Sequence, residues 1–326
     1  MPVTDFASRV RHALRARGMS MSQAARTLNY DRAYLSRVLN GKQRPSSQLA
    51  HALDELLGAE GALVELADAL TPDDRARIAR TLAAPSRLDR GTVDALAGAL
   101  AAQRRLDDVF PAVAMLPATT AQWDSIDKLA RDARGPHAED FHKVAAEWAQ
   151  FIGWLHAEAR NDADAVRWLT AAEERADDVG SGELAAQAAN FKGYLARQQQ
   201  RPRAVVRWFL AAYHTPGATP LQRVGDAVQA AHGYAWLGQR DDARRLLDEA
   251  ADLADASADQ APPDTAYWLS PTFSRMGIGL ALLALGDHAD AAENLRVGLD
   301  GLPDDQRGAE WAREYRDALD EAHADA

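Results

Sequence analysis

Gly153-Trp154-Leu155, followed by Val166-Arg167-Trp168-Leu169 and Ala171-Ala172, returns 40 residues later as Gly193-Tyr194-Leu195, Val206-Arg207-Trp208-Phe209 and Ala211-Ala212. Two looser copies centre on Leu237-Gly238-Gln239-Arg240-Asp241-Asp242-Ala243 and on Leu285-Gly286-Asp287-His288-Ala289-Asp290-Ala291. A period between about 20 and 50 residues, with two helices per unit, marks units that bury their apolar faces only by stacking. Residues 136–326 therefore read as a helical solenoid, and residues 304–324, with Trp311, Tyr315 and Leu319, as the amphipathic helix that caps its end.

The copies resemble tetratricopeptide repeats, which place small residues where their paired helices cross. The matching positions are Gly153, Gly193, Ala231 and Gly279, then Ala165, Val205, Ala243 and Ala291, then Ala172, Ala212, Ala250 and Gly298. Val205 departs from the pattern, and the last set steps by 40, 38 and 48 residues against about 34 in the family. The longest step contains Ala261-Pro262-Pro263-Asp264, an inserted loop. The resemblance implies a groove made by the first helix of each pair. It aims Glu147, Gln150 and Trp154 inward from the first copy, and Gln187, Asn190, Tyr194 and Arg197 from the second. Val228 and His232 follow from the third and Phe273 and Met276 from the fourth. Amides and aromatics in a groove suit an extended peptide, because amides pair with its backbone and rings hold its side chains. Helix packing accounts equally well for Trp148, Trp168, Trp208 and Trp236.

Upstream, residues 59–135 are rich in Ala and acids and are broken at Pro72, Pro85, Pro111, Pro117 and Gly135-Pro136. They read as three or four bridging helices. No segment alternates as a strand would, so the fold class is all-α.

Residues 1–58 read as short, well-punctuated helices. Thr4 is placed to cap a helix with Phe6, Val10, Ala13 and Leu14 on one face, and Gly18 to end it. Ser20 and Gln23 have capping-box spacing. Asp31 is a good N-cap for a third helix through Leu39, which Asn40-Gly41 stops. Pro45-Ser46-Ser47 opens a helix whose buried stripe is Leu49, Leu53, Leu56 and Leu57, and Gly58 closes it.

Met21-Ser22-Gln23-Ala24-Ala25, Tyr34-Leu35-Ser36-Arg37-Val38-Leu39-Asn40-Gly41-Lys42 and Arg44-Pro45-Ser46 resemble the Cro and phage-repressor type of helix-turn-helix domain, the XRE family. That resemblance implies a five-helix domain whose third helix enters the major groove with its early residues on base edges. Those are Arg32, Ala33, Ser36 and Arg37: Arg for bidentate contact with guanine, Ser for either partner, the Ala methyl for thymine. It also places Gln23, Asn40, Lys42 and Arg44 against phosphates, with Tyr34 facing the groove or a phosphate, while Leu35 and Val38 point to the core. The plainer readings are that Gln23 only completes its capping box and that Arg9, Arg11, Arg15 and Arg17 form a solvated face.

The net charge of −11 over 326 residues looks hostile to DNA. It divides at Gly58 into opposites: residues 1–58 hold 9 Lys/Arg against 4 Asp/Glu, a charge of +5, and residues 59–326 hold 28 against 44, a charge of −16. The absence of cysteine excludes disulfides, thiolate nucleophiles and Cys-containing metal sites. Neither a membrane-spanning run nor a signal-peptide core is present, so a cytoplasmic location is expected. No catalytic or phosphate-binding motif survives inspection, no cofactor or metal is expected, and paired acids such as Asp107-Asp108, Asp177-Asp178 and Asp241-Asp242 read as solvated or capping groups.

A Cro-like head on a tetratricopeptide-like body resembles the peptide-sensing regulators of Gram-positive bacteria and a broad group of regulators from high-GC bacteria. The resemblance implies a dimeric transcriptional regulator whose partners are double-stranded DNA and a signal peptide, small ligand or protein in the groove. The alternative is a protein-interaction scaffold whose head reads no DNA. The expected order of parts is a DNA-binding domain over 1–58, a helical linker over 59–135 and the repeat domain over 136–326.

Overall fold

The computed structural model describes residues 6–40, 45, 47–59, 61–68, 72–85, 88–260, 262, 266–304 and 306–324. Among them the regular elements are seventeen α-helices and no strand. Two compact units divide the chain, residues 1–102 and 103–326, and the division falls within the segment read as a linker.

The first unit begins with α1 (Phe6–Ala16), α2 (Met21–Thr27), α3 (Arg32–Leu39), α4 (Ser47–Leu57) and α5 (Ala62–Asp68). Their boundaries follow from local chemistry. Ser20 and Gln23 form the capping box, the Ser20 hydroxyl accepting from the Gln23 amide at 3.2 Å and Gln23 Oε1 accepting from the Ser20 amide at 2.8 Å. Asp31 Oδ1 accepts from the Tyr34 amide at 2.7 Å and starts α3. Gly18 and Gly58, at φ +61° and +53°, turn the chain left-handed after α1 and α4. The expected cap Thr4 and the residues Gly41 and Ser46 lie outside the described residues.

Phe6, Val10, Leu14, Leu35, Val38, Leu39, Leu49, Leu53, Leu57 and Leu63 close into one core. The Asp54 carboxylate, buried at the end of α4, accepts from the amides of Gly61 and Leu63, each at 2.8 Å, and so fixes α5 to the bundle. The unit continues with α6 (Pro72–Ala83) and α7 (Arg90–Leu106), whose last turn belongs to the second unit. Asp89 caps α7 through the Thr92 amide and hydroxyl, both at 2.8 Å.

The second unit holds α8 (Ala112–Asp132), α9 (Ala138–Glu158), α10 (Asp162–Asp178), α11 (Gly182–Gln198), α12 (Pro202–His214), α13 (Pro220–Trp236), α14 (Arg240–Ala256), α15 (Pro271–Leu285), α16 (His288–Asp300) and α17 (Arg313–Ala324). Consecutive helices from α9 to α16 pair as four hairpins, and the first helices α9, α11, α13 and α15 touch in succession, which puts them on the inside of the stack. With α5 to α8, the segment 59–135 holds four helices.

Two readings of the breaks change. The helix α8 runs through Pro117, and the carbonyl left without its helical partner is that of Val113, a residue 63% exposed. The final helix begins at Arg313, the stretch before it being turns, so the cap is shorter than residues 304–324.

The repeated glycines are explained by close approach within each hairpin. A Cβ on Gly153 would lie 2.8 Å from Leu169, one on Gly193 2.8 Å from Phe209, and one on Gly279 2.5 Å from Leu295; each partner lies 16 residues on. Val205, the departure from the pattern, is fully buried against Gly233, where an added Cβ would sit 2.9 Å from its Cγ1. Bulk moved to one helix is thus matched by a glycine on the next. In urea unfolding, Gly193→Ala is expected to destabilise the second unit by about 1–3 kcal/mol. Gly225→Ala, where nothing lies within 4 Å, is expected to stabilise it by about 0.5–1 kcal/mol by removing a helix-interior glycine.

Candidate nucleic-acid interface and the face of the repeats

On α3 the helical angle of about 100° per residue puts positions 32, 33, 36 and 37 within one arc of about 140°. Arg32, Ala33 and Arg37 are exposed and Ser36 is half-buried, while Leu35, Val38 and Leu39 are buried on the opposite side. Asn40 Nδ2 donates to the Ser36 carbonyl at 2.8 Å and to its hydroxyl at 3.3 Å, so this amide closes α3. Tyr34 is half-buried against the core and inclined to Tyr30 at 6.1 Å between ring centroids. Gln23 is exposed, and its capping box engages Oε1. Lys42 and Arg44 lie outside the described residues.

Two arginines, one on α1 and one in the turn after it, do more than face solvent. Arg11 donates to the Leu39 carbonyl at the end of α3, and Arg17 donates to the Leu56 carbonyl at 2.6 Å. They hold the ends of α3 and α4 against α1. Only Arg9 and Arg15 of that quartet are exposed without such a tie among the hydrogen bonds described. Nothing in the spacing of the four arginines separates the two kinds.

In the second unit, the inward residues of the first helices meet segments from the two ends of the unit. Gln150 Oε1 accepts from Arg104 Nη2 at 2.9 Å, and the Arg104 guanidinium lies 5.2 Å from the Trp268 ring and 5.4 Å from Phe151. Trp154 Nε1 donates to Asp107 at 2.6 Å, its ring 4.7 Å from Tyr194 and 5.1 Å from Phe191. Tyr194 donates to Glu158. Arg197 donates to Gln229 and, at 2.9 Å, to Glu314 of α17. Asn190 donates to Asp226 at 2.6 Å, and His232 stacks on Trp236 at 4.3 Å. Gln150, Gln187, Arg197, Val228, His232 and Met276 are buried, and Glu147, Trp154, Asn190, Tyr194 and Phe273 half-buried.

The paired acids Asp107 and Asp108 are not solvated, as their position at a helix end had implied. The Asp108 carboxylate is 4% exposed and accepts from Tyr267 at 2.7 Å, from Trp311 at 3.1 Å and from Gln306 at 3.2 Å. Three donors from distant parts of the chain replace the water it gives up. Among the described residues no group of three metal-ligating side chains is assembled, and no helix is long and apolar enough to cross a membrane.

Residues 5–67 match a family model described as a helix-turn-helix domain. No curated protein matches the chain. Among solved structures, the crystal structure of Bacillus thuringiensis PlcR in complex with the peptide PapR7 and DNA is similar over 99% of this chain and 97% of that one, at 11% identity and a TM-score of 0.36.

Burial leaves several carboxyls on the repeat face above their ordinary range. Asp226 is pushed up to about 8 by burial, against the donated bond from Asn190. Asp107 rises to about 7 through burial, with the Glu158 and Asp108 charges adding to it. Glu158 rises to about 7 through burial and then the Glu310 and Glu314 charges. A carboxyl whose folded pKa is raised stabilises the fold below its unfolded pKa, about 4, and that contribution is lost as pH rises through the folded value. The free energy of urea unfolding of the full chain is therefore expected to fall between about pH 4 and pH 8. Asp226→Asn is expected to remove the part of the fall nearest pH 8.

Proposed function

We propose that the chain is a sequence-specific DNA-binding transcriptional regulator of the XRE type. It works as a dimer, and its tetratricopeptide-like unit senses a peptide, small ligand or protein partner and alters DNA affinity. The observation that carries this reading is the outward arc of Arg32, Ala33, Ser36 and Arg37 on the third helix of a helix-turn-helix domain. Two arginines, a methyl and a hydroxyl on one arc are a set that reads base edges. Gln23, Tyr34, Asn40, Lys42 and Arg44 flank that arc in sequence and would position the domain on phosphates without reading sequence. The charge division supports the same assignment. A head of +5 neutralises phosphate, and a body of −16 is repelled by it.

A two-fold dimer would bind half-sites about one helical turn, 34–36 Å, apart or a multiple of it. In the repeat unit, Gln150, Trp154, Gln187, Asn190, Tyr194, Arg197 and His232 form the face assigned to the ligand. No chemistry of bond breaking is assigned to them.

The test is a fluorescence-anisotropy titration of the full chain on DNA from its own upstream region. Arg37→Ala is expected to cost about 1–3 kcal/mol of specific binding. Lys42→Ala is expected to weaken all sequences alike and to lower the slope of log affinity against log salt by about 1. A folded dimer that binds no DNA at low salt would favour the scaffold instead.

A further inference from the structure

The C-terminal ends of α9, α11 and α13, together with α15, α17 and the turn before it, enclose a cavity of about 500 Å³. That is the size of a small-molecule or side-chain pocket. Its walls carry the carboxylates of Glu158, Glu310, Glu314, Asp317 and Glu321 against three guanidiniums. The guanidiniums already have carboxylate partners: Arg197 with Glu314 at 2.9 Å, Arg313 with Glu310 at 3.9 Å, and Arg160 with Asp162 outside the cavity at 3.5 Å. Among the described residues no ion pair reaches Glu158, Asp317 or Glu321. The cavity is thus short of positive charge.

A second feature points to a ligand. His232 lines the cavity, is 3% exposed, and its Nδ1 has no hydrogen-bond partner. Burial, then the Arg197 charge, push its pKa down to about 3, so the ring is neutral at physiological pH, one nitrogen donating and the other accepting. Tyr194, Trp236 and Trp311 supply aromatic walls beside it, and ring faces attract cations. Carboxylates in excess, aromatic faces and an unused imidazole nitrogen are together complementary to one chemical class.

We propose that this cavity binds an organic cation, an alkylammonium or guanidinium group, with Glu158 and Asp317 as its counter-charges and the aromatic side chains around it. The group could arrive on a free amine or on a basic side chain of a peptide; the recognition chemistry is shared. The proposal deepens the sensing role assigned to the repeats and rests on it for its regulatory meaning, but the binding is measured without DNA, so either can fail alone.

Glu158 gives the site a pH signature. The groups that act on it are Tyr194 and Arg197 on α11, Asp107 just after α7, and Glu310 and Glu314 from the C-terminal segment, while His232 on α13 and Asp317 on α17 line the same cavity. With its pKa near 7, Glu158 is mostly protonated at pH 6 and mostly ionised at pH 8, and a cation pairs with the ionised form. Affinity should therefore rise by about tenfold between those values, the ratio of the competent fractions.

The test is isothermal titration calorimetry of the full chain with agmatine, with acetyl-Gly-Arg-Gly-amide and with glutarate. Agmatine, the blocked peptide or both are expected to bind with one site per chain, more tightly at pH 8, and glutarate is expected not to bind. Which cation binds identifies the source of the charged group. Glu158→Gln, which retains an acceptor for Tyr194, and Asp317→Asn, on an exposed position, should each weaken binding, the first by about tenfold or more. Failure of both cations to bind, binding of glutarate in their place, or cation binding indifferent to pH and to both substitutions in folded protein would overturn the proposal.

Discussion

A carboxylate taken out of water has to be given donors, and Asp108 receives them from Tyr267, Gln306 and Trp311. Those donors stand between about 160 and 200 residues further along the chain, in the connection before α15 and in the turns before α17. One side chain therefore draws two separate segments onto the inner side of the second unit. Its neighbours extend the constraint: Asp107 holds Trp154 and Arg104 holds Gln150. At the other end of the face Glu314 holds Arg197. The first helices of the repeats present their amides and rings to the two ends of the second unit, and the space left beside those contacts is the cavity at Glu158 and His232.

Much of this fold was legible beforehand because its determinants are local. The capping box at Ser20 and Gln23, the Asp31 cap and the turn glycines are all set within four residues, and they appear where the spacing placed them. The hairpins were legible because a glycine and the side chain that fills its space recur at a constant separation. Val205 shows the limit of that logic. It breaks the pattern within its own hairpin, and the compensating Gly233 lies on the following helix, where only stacking reveals it.

What escaped was non-local pairing of polar groups. Asp107 and Asp108 look like any two acids at a helix end, and no periodicity links Asp108 to a tyrosine 159 residues away. Arg11 and Arg17 carry the same pattern as Arg9 and Arg15, yet their ties to the Leu39 and Leu56 carbonyls depend on the packing of α1 across the bundle. The residues assigned to a groove lie on α9, α11, α13 and α15, and their burial depends on segments that the repeat pattern does not contain.

The central claim is that a basic helix-turn-helix head reads DNA while an acidic repeat body does not. Selection of random double-stranded DNA by the full chain, followed by sequencing of the bound pool, tests it most directly. The account predicts enrichment of a two-fold-related motif with half-sites about one helical turn apart or a multiple of it, and loss of sequence preference at the corresponding base pairs for Arg32→Ala and Arg37→Ala. A bound pool with no enriched sequence, from folded protein at low salt, would contradict it.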